Sequence, residues 1–190
     1  MVIAALKQEM RKEALERRAT LKQSVSELSH RIAKNFLAQI PIPPDATVSG
    51  YIAIGEEADP APLLREVAFR GHTVALPRVA GRGLPLDFHL YEPGGSLVAG
   101  GFGLSEPDRN WPKLCPRLLI VPLLAFDAHG YRIGYGAGFY DRTLRKLRAG
   151  AEVLAVGYAF AIQEFASVPY DDMDERLDWI VTENGARKFS

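Results

Sequence analysis

The sequence predicts an α/β layer fold with a largely parallel sheet, entered through two N-terminal helices. Three observations carry this. From residue 47 onward, short strand-like runs alternate with helix signals. Leu118 to Val121 is a continuous apolar run before Pro122, the pattern of a strand buried on both faces. The first forty residues instead repeat their apolar positions at helical spacing. With 190 residues the chain reads as one domain, 1–190, long enough to bury a core without covalent staples.

The elements follow in order. Ile3, Leu6, Met10 and Ala14 recur at helical spacing. Ser24 to Glu27 is a capping-box pattern, after which Val25, Leu28, Ile32 and Phe36 mark one face of a second helix. Pro41, Pro43 and Pro44 end this helical hairpin. Thr47 to Ile54 reads as a strand. Asp59-Pro60 opens a helix with Leu63, Leu64 and Val67 on its buried face and Gly71 as its stop. Thr73 to Leu76 and Leu86 to Leu90 are further strand candidates, and Pro93 to Pro116 is mostly loop. Phe139 to Arg148 is a helix closed by Gly150; Glu152 to Ala159 and Trp179 to Thr182 are the last strands.

Composition excludes several classes of function. Lys plus Arg and Asp plus Glu number 23 each, so the chain lacks the basic excess of a general nucleic-acid binder. The single cysteine, Cys115, allows no internal disulfide and fits a reducing compartment. No apolar run approaches the length of a membrane span, and charges from Lys7 to Lys22 leave no signal-peptide core. The four histidines show no metal-ligand spacing. These readings together give a cytoplasmic protein with no nucleic-acid or membrane partner.

The chemistry concentrates between Ile120 and Arg142. Gly134, Gly136 and Gly138 alternate just before a helix, so backbone N–H groups can approach an anion and the helix N-terminus adds positive potential. Arg132 offers a planar fork for phosphate oxygens. A Walker A loop is excluded, because Gly-Lys-Ser/Thr is absent. A dinucleotide fingerprint is excluded too: the spacing is G-x-G-x-G, and it begins well past the strand. By spacing alone, a tight turn joining strand to helix remains open beside a phosphate site.

The whole segment resembles the signature of the 5-formyltetrahydrofolate cyclo-ligase family, V-P-x-x-A-F-D followed by R-L-G-Y-G-G-G-Y-Y-D-R. Val121, Pro122, Ala125, Phe126 and Asp127 match its first part. Arg132, Gly134, Tyr135, Gly136, Gly138, Tyr140, Asp141 and Arg142 match its second. Ile133, Ala137 and Phe139 are mild departures, and Ala137 requires an ordinary backbone conformation where the family often has glycine. Lys7 and Arg11 match an N-terminal K-x-x-x-R, Ile52 and Glu57 a folate-contacting segment, and Phe102 to Pro107 an F-G-x-x-E-P. Val168 to Asp178 resembles V-P-x-x-x-H-D-x-x-x-D, with Met173 in the histidine's place.

The resemblance implies a three-layer fold similar to ribose-phosphate isomerases and CoA transferases. It implies ATP-dependent closure of 5-formyltetrahydrofolate to 5,10-methenyltetrahydrofolate by a monomer acting on small molecules, with magnesium as cofactor and ATP as co-substrate. It implies that Lys7, Arg11 and the loop Arg132, Ile133, Gly134, Tyr135, Gly136, Ala137, Gly138, Phe139 and Tyr140 bind ATP, with Arg132 and Tyr140 catalytic. Tyr135 to Phe139 would also touch the folate, beside Ile52 and Glu57, and Asp141 and Asp178 would hold the metal. Charge spacing adds an independent point. Lys7 and Arg11 share a helix face and have no acidic residue three or four positions away, which leaves them for an outside anion. Arg18 and Lys22 look equally unpaired. Two alternatives stay open: a relative that binds folate or nucleotide without turnover, and a sugar-phosphate isomerase or CoA-transferase relative that uses no ATP.

Overall fold

A computed structural model describes residues 2–190; the side chain of Phe102, part of the F-G-x-x-E-P match, lies outside the described residues. The elements are α1 (Val2–Arg18), α2 (Val25–Gln39), β1 (Val48–Ser49), α3 (Ala61–Phe69), β2 (Val74–Val79), β3 (Leu86–Leu90), β4 (Val98–Ala99), β5 (Ser105–Glu106), β6 (Lys113–Leu114), β7 (Leu118–Val121), β8 (Ala125–Phe126), β9 (Arg132–Ile133), α4 (Phe139–Arg148), β10 (Leu154–Tyr158), β11 (Trp179–Thr182) and β12 (Gly185–Lys188).

Eight strands form one sheet in the order β12-β11-β10-β7-β1-β2-β3-β6. The run from β2 through β1, β7 and β10 to β11 is parallel, and β3, β6 and β12 extend its edges antiparallel. Side-chain alternation divides the core between two faces. Leu118 and Ile120 of β7, with Val74 and Leu76 of β2, pack beneath α2 and α3 through Leu28, Ile32, Phe36, Leu63 and Val67. Leu119 and Val121, with Ala75 and Ala155, face Leu144 of α4 on the other side. The result is three layers, helices–sheet–helix, as the alternation of signals implies.

The two N-terminal helices do different work. α2 belongs to the α3 layer. α1 instead lies across β8, β9 and the 3₁₀ turn Ala161–Gln163, burying Ala14 against Leu124, Ala125, Ile133, Phe165 and Val168. It therefore sits at the end of the sheet where the parallel strands finish.

Local differences have physical causes. Ser24 is the N-cap of α2 but makes no side-chain cap bond; Ser24 contributes through its carbonyl, which accepts from Leu28 N–H. The strand expected over 47–54 is only Val48–Ser49, and 50–57 leaves the sheet as a loop. Pro60 is the N-cap of α3, and Asp59 just ahead of it accepts at Oδ1 from Ala61 N–H at 2.9 Å. The edge strand β12 has no apolar run, being G-A-R-K, and is held by its ladder to β11. Asp127 of the A-F-D signature is a fold residue. It is 1% exposed and accepts from the N–H groups of His129, Tyr131 and Val168, pinning the turn before β9 to the chain before the 170s loop.

Candidate functional site

The residues that follow β1 and β7 border a cleft of about 950 Å³, within the range of small-molecule sites. From β1 the chain runs to β2 on one side, and β7 lies on the other, so this is the switch point where open α/β sheets place ligands. The cleft is lined by Tyr51 to Gly55 and Glu57, by the loop from Arg132 to Arg142, by Lys7 and Arg11 of α1, and by Asp171, Met173 and Asp174. Leu76, Pro77, Val79 and Leu86 form an apolar wall. Lys7, Arg11, Ile52, Glu57, Arg132 to Tyr140 and Asp141 all meet here.

The glycine loop has the backbone its sequence demands. Gly136 (φ 99°) and Gly138 (φ 65°) are left-handed, and Gly138 is the N-cap of α4. Ala137 does not have a positive φ; Asp45 is the one non-glycine residue that does among the described residues. The alanine therefore costs nothing in backbone strain. Tyr135, Gly136 and Ala137 are exposed to the cleft mouth, whereas Arg132 and Ile133 of β9 are buried. Arg132 is not a free fork. Nη2 donates to Asp141 Oδ1 at 2.7 Å and Nη1 to the Glu175 carbonyl. The Tyr140 hydroxyl is buried with no hydrogen-bond partner among the described residues. Burial, then the charge of Glu57, pushes its pKa far up, so it remains a proton donor.

The cations of α1 are placed as the helical spacing implies, but Lys7 is not unpartnered. Its ammonium bridges Asp171 (2.8 Å) and Asp174 (2.5 Å). Burial opposes that charge, and the two carboxylates more than offset it, so the pKa of Lys7 rises. Lys7 in turn, with the Met173 N–H, lowers that of Asp171. Local spacing could not reveal partners 164 and 167 residues away. Arg11 donates from Nε to the Gly134 carbonyl at 2.9 Å and from Nη1 to Gln8. A Cβ on Gly136 would meet the Arg11 guanidinium carbon at 3.2 Å, so that glycine lets the cation lie on the loop.

Glu57 is not the solvated acid that Glu56-Glu57 suggests: it is 4% exposed. Burial raises its pKa; the Tyr135 hydroxyl, the Ile54 N–H (2.8 Å) and the charge of Arg18 oppose the rise. Tyr135, desolvated and bonded to Glu57, is pushed up to about 12. Arg18, also read as unpaired, is 7% exposed.

Of the two carboxylates expected to hold a metal, one lines the cleft and the other is not among its lining residues. Asp141 lines the cleft in the first turn of α4, its Oδ1 taken by Arg132 and by Glu175 N–H. Asp178 does not line it. Its Oδ2 accepts from Arg148 (2.9 Å) and Ala155 N–H (2.7 Å), tying the chain before β11 to β10 and α4. The carboxylates that do line the cleft near Lys7 are Asp171 and Asp174. Asp174 matches the family pattern beside Met173, but the resemblance gave it no role in the site. Among the described residues no group of three His, Cys, Asp or Glu could hold a metal by itself. Met173 is 63% exposed, and its sulfur accepts from Arg145. Glu106 was also missed as a cleft residue. It is 2% exposed, accepts from Val79 N–H and pairs with Arg78 at 3.2 Å.

The chain is similar to known proteins of one family. The model of the 5-formyltetrahydrofolate cyclo-ligase family matches residues 3–183. A 5-formyltetrahydrofolate cyclo-ligase of Mycolicibacterium smegmatis is 37% identical over 158 residues, 79% of this chain and 80% of that protein. One from Escherichia coli is 32% identical over 174 residues, 87% and 93% of the two chains. The NMR structure of a 5,10-methenyltetrahydrofolate synthetase from Aquifex aeolicus superposes with a TM-score of 0.78 at 32% identity, covering 96% of this chain and 92% of that one. A synthetase structure from Mycoplasma pneumoniae, 22% identical, shares the fold with a TM-score of 0.72. Placed beside a cleft at the sheet's switch point that gathers the signature loop, the α1 cations and Glu57, these matches establish that the chain belongs to the 5-formyltetrahydrofolate cyclo-ligase family.

Proposed function

We propose that this chain closes 5-formyltetrahydrofolate to 5,10-methenyltetrahydrofolate with conversion of ATP to ADP and phosphate. The observation that carries the reading is that two different recognition surfaces meet in one cleft: Arg11 against Gly134 and Gly136, and Glu57 with Tyr135 among the lining residues. A reaction between a phosphoryl donor and a pterin needs that juxtaposition.

A formamide oxygen is a poor leaving group. If it attacks the γ-phosphorus, ADP departs and the oxygen becomes part of a phosphate ester. N10 then attacks the formyl carbon, phosphate leaves and N10 loses its proton. In this reading Lys7, Arg11 and Arg132 to Tyr140 hold the ATP phosphates. Glu57 accepts N–H bonds from the pterin, and Ile52 packs on its rings. The buried Tyr140 hydroxyl donates to the formyl or transferred oxygen, with Arg132 fixing Asp141 beside it. Phosphoryl transfer relies on such positioning and charge rather than on a covalent nucleophile.

Magnesium is usually held by one or two carboxylates plus phosphates and water, and the donor set fits that pattern. Asp141 would hold it, with Asp174 as the second carboxylate in place of Asp178, which is spent on Arg148 and Ala155. Bound there, the ion would neutralise charge on the phosphates. Phosphate oxygens can take over Lys7 from Asp174, leaving that carboxylate for the ion. The reading keeps 1–190 as one catalytic domain working as a cytoplasmic monomer on small molecules. No helix among the described residues is long and apolar enough to cross a membrane. Asp141→Asn is the test: the amide keeps an acceptor for Arg132, so the fold is expected to hold while turnover falls at least about a hundredfold at limiting magnesium. Normal turnover by that variant would return Asp141 to a purely structural role.

A further inference from the structure

Arg18 is the last residue of α1, and the reading above gives it no part. Its position is set by a stripe. Lys7, Arg11, Ala14 and Arg18 are spaced 4, 3 and 4 apart, which puts them on one face of the helix. Ala14, 1% exposed, is where that face touches the body of the protein, against Leu124 and Ile133. Its small side chain lets the helix lie close. Toward the N-terminus the stripe delivers Lys7 and Arg11 to the 170s loop and Gly134. Past Ala14 it delivers Arg18 to Tyr135.

A guanidinium that is 7% exposed must be paired. The adjacent Arg17 turns away, donating to the Glu164 carbonyl and lying 4.0 Å over the Phe165 ring. Arg18 Nη1 donates to the Tyr135 hydroxyl at 3.4 Å, and Tyr135 and Glu57 line the cleft together, where that hydroxyl and the Arg18 charge both favour the ionised Glu57 carboxylate. The groups thus run cation, phenol, carboxylate, ending on the one that receives the pterin in the reading above. The 3.4 Å contact is long, as such bonds often are before a ligand tightens them.

We propose that Arg18 is a positioning residue for folate: it holds the Tyr135 hydroxyl, and through it the Glu57 carboxylate, in the arrangement that receives the pterin N–H groups. One helix then serves both substrates, its first half the nucleotide and its last turn the folate. The inference rests on the cyclo-ligase reading and names a residue within it.

The test uses the full chain with steady-state kinetics in each substrate. Arg18→Met keeps the apolar stem and removes the fork. It is expected to raise KM for 5-formyltetrahydrofolate by about tenfold, with KM for ATP within about twofold. In a Tyr135→Phe background the same change is expected to add less than about twofold, because that run of groups is already broken. Arg18→Lys, which retains charge without the planar fork, is expected to raise folate KM by about threefold and spare ATP. It decides the matter alone if the methionine variant does not fold. An unchanged folate KM overturns the proposal. So do equal rises for both substrates, which mean that Arg18 merely anchors α1. Wild-type protein that forms no methenyl product at all would instead overturn the cyclo-ligase reading.

Discussion

At the residue scale, the chemistry depends on charges whose partners lie far along the chain. Arg11 rests on the loop through Gly134, and a charged hydrogen bond to phosphate contributes about 1.5–3 kcal/mol. Arg11→Ala is therefore expected to raise the apparent KM for ATP by about ten- to a hundredfold with little change in melting temperature. Lys7→Ala is expected to lose ATP affinity similarly, but also to leave Asp171 and Asp174 without their cation. A melt beside the kinetics checks this: Lys7→Ala should melt measurably lower and Arg11→Ala should not. Glu57 carries a second prediction. Tyr135, Arg18, Tyr51 and Tyr140 are the titratable or charged groups around it. Because burial raises its pKa, the carboxylate takes up a proton at higher pH than an ordinary glutamate does. Folate binding should be complete above that raised pKa and weaken as pH falls through it. A pH profile of kcat/KM for 5-formyltetrahydrofolate that loses this limb in Glu57→Gln supports the assignment; an identical limb in the variant contradicts it.

At the element scale, the loop and the helix behind it act as a unit. Gly138 caps α4 with φ 65°, and a Cβ there would meet Arg142 Nη1 at 2.8 Å. Left-handed backbone costs an alanine about 1–2 kcal/mol. Gly138→Ala is expected to lower both melting temperature and turnover, since the strain falls where Tyr140 and Asp141 begin the helix. Calorimetry and kinetics on one preparation decide it: a variant with wild-type stability and activity would mean that the loop tolerates other backbones. The helices, β3, β7 and β11 were legible because their apolar periods are local signals. The expected strand ran on to Ile54 because 51–54 is apolar enough for one, yet 50–57 must leave the sheet to wall the cleft. β12 was illegible because its pairing with β11, not its composition, makes it a strand.

At the scale of the whole molecule, the sheet order explains why a full-length resemblance condenses into one place. Segments from residue 7 to residue 174 meet at the switch point between β1 and β7. The signature loop was readable from its glycines and its family pattern. The Lys7 pairing with the 170s loop, the burial of Glu57 and Arg18, and the pairing of Asp178 with Arg148 and Ala155 were not. Each depends on contacts between residues far apart in sequence, which no helical or strand period records. The cation stripe of α1 lies between: its spacing was visible, but not what each member would touch.

The central claim is that this cleft couples ATP to folate cyclisation. The direct measurement is the ultraviolet absorbance of 5,10-methenyltetrahydrofolate when the purified protein is mixed with 5-formyltetrahydrofolate, ATP and magnesium. Product is expected with all three present, one phosphate released for each methenyl group formed, and no enzymatic rate when ATP is omitted. Product appearing at the same rate without nucleotide, or ATP hydrolysed with no methenyl formed, would contradict it.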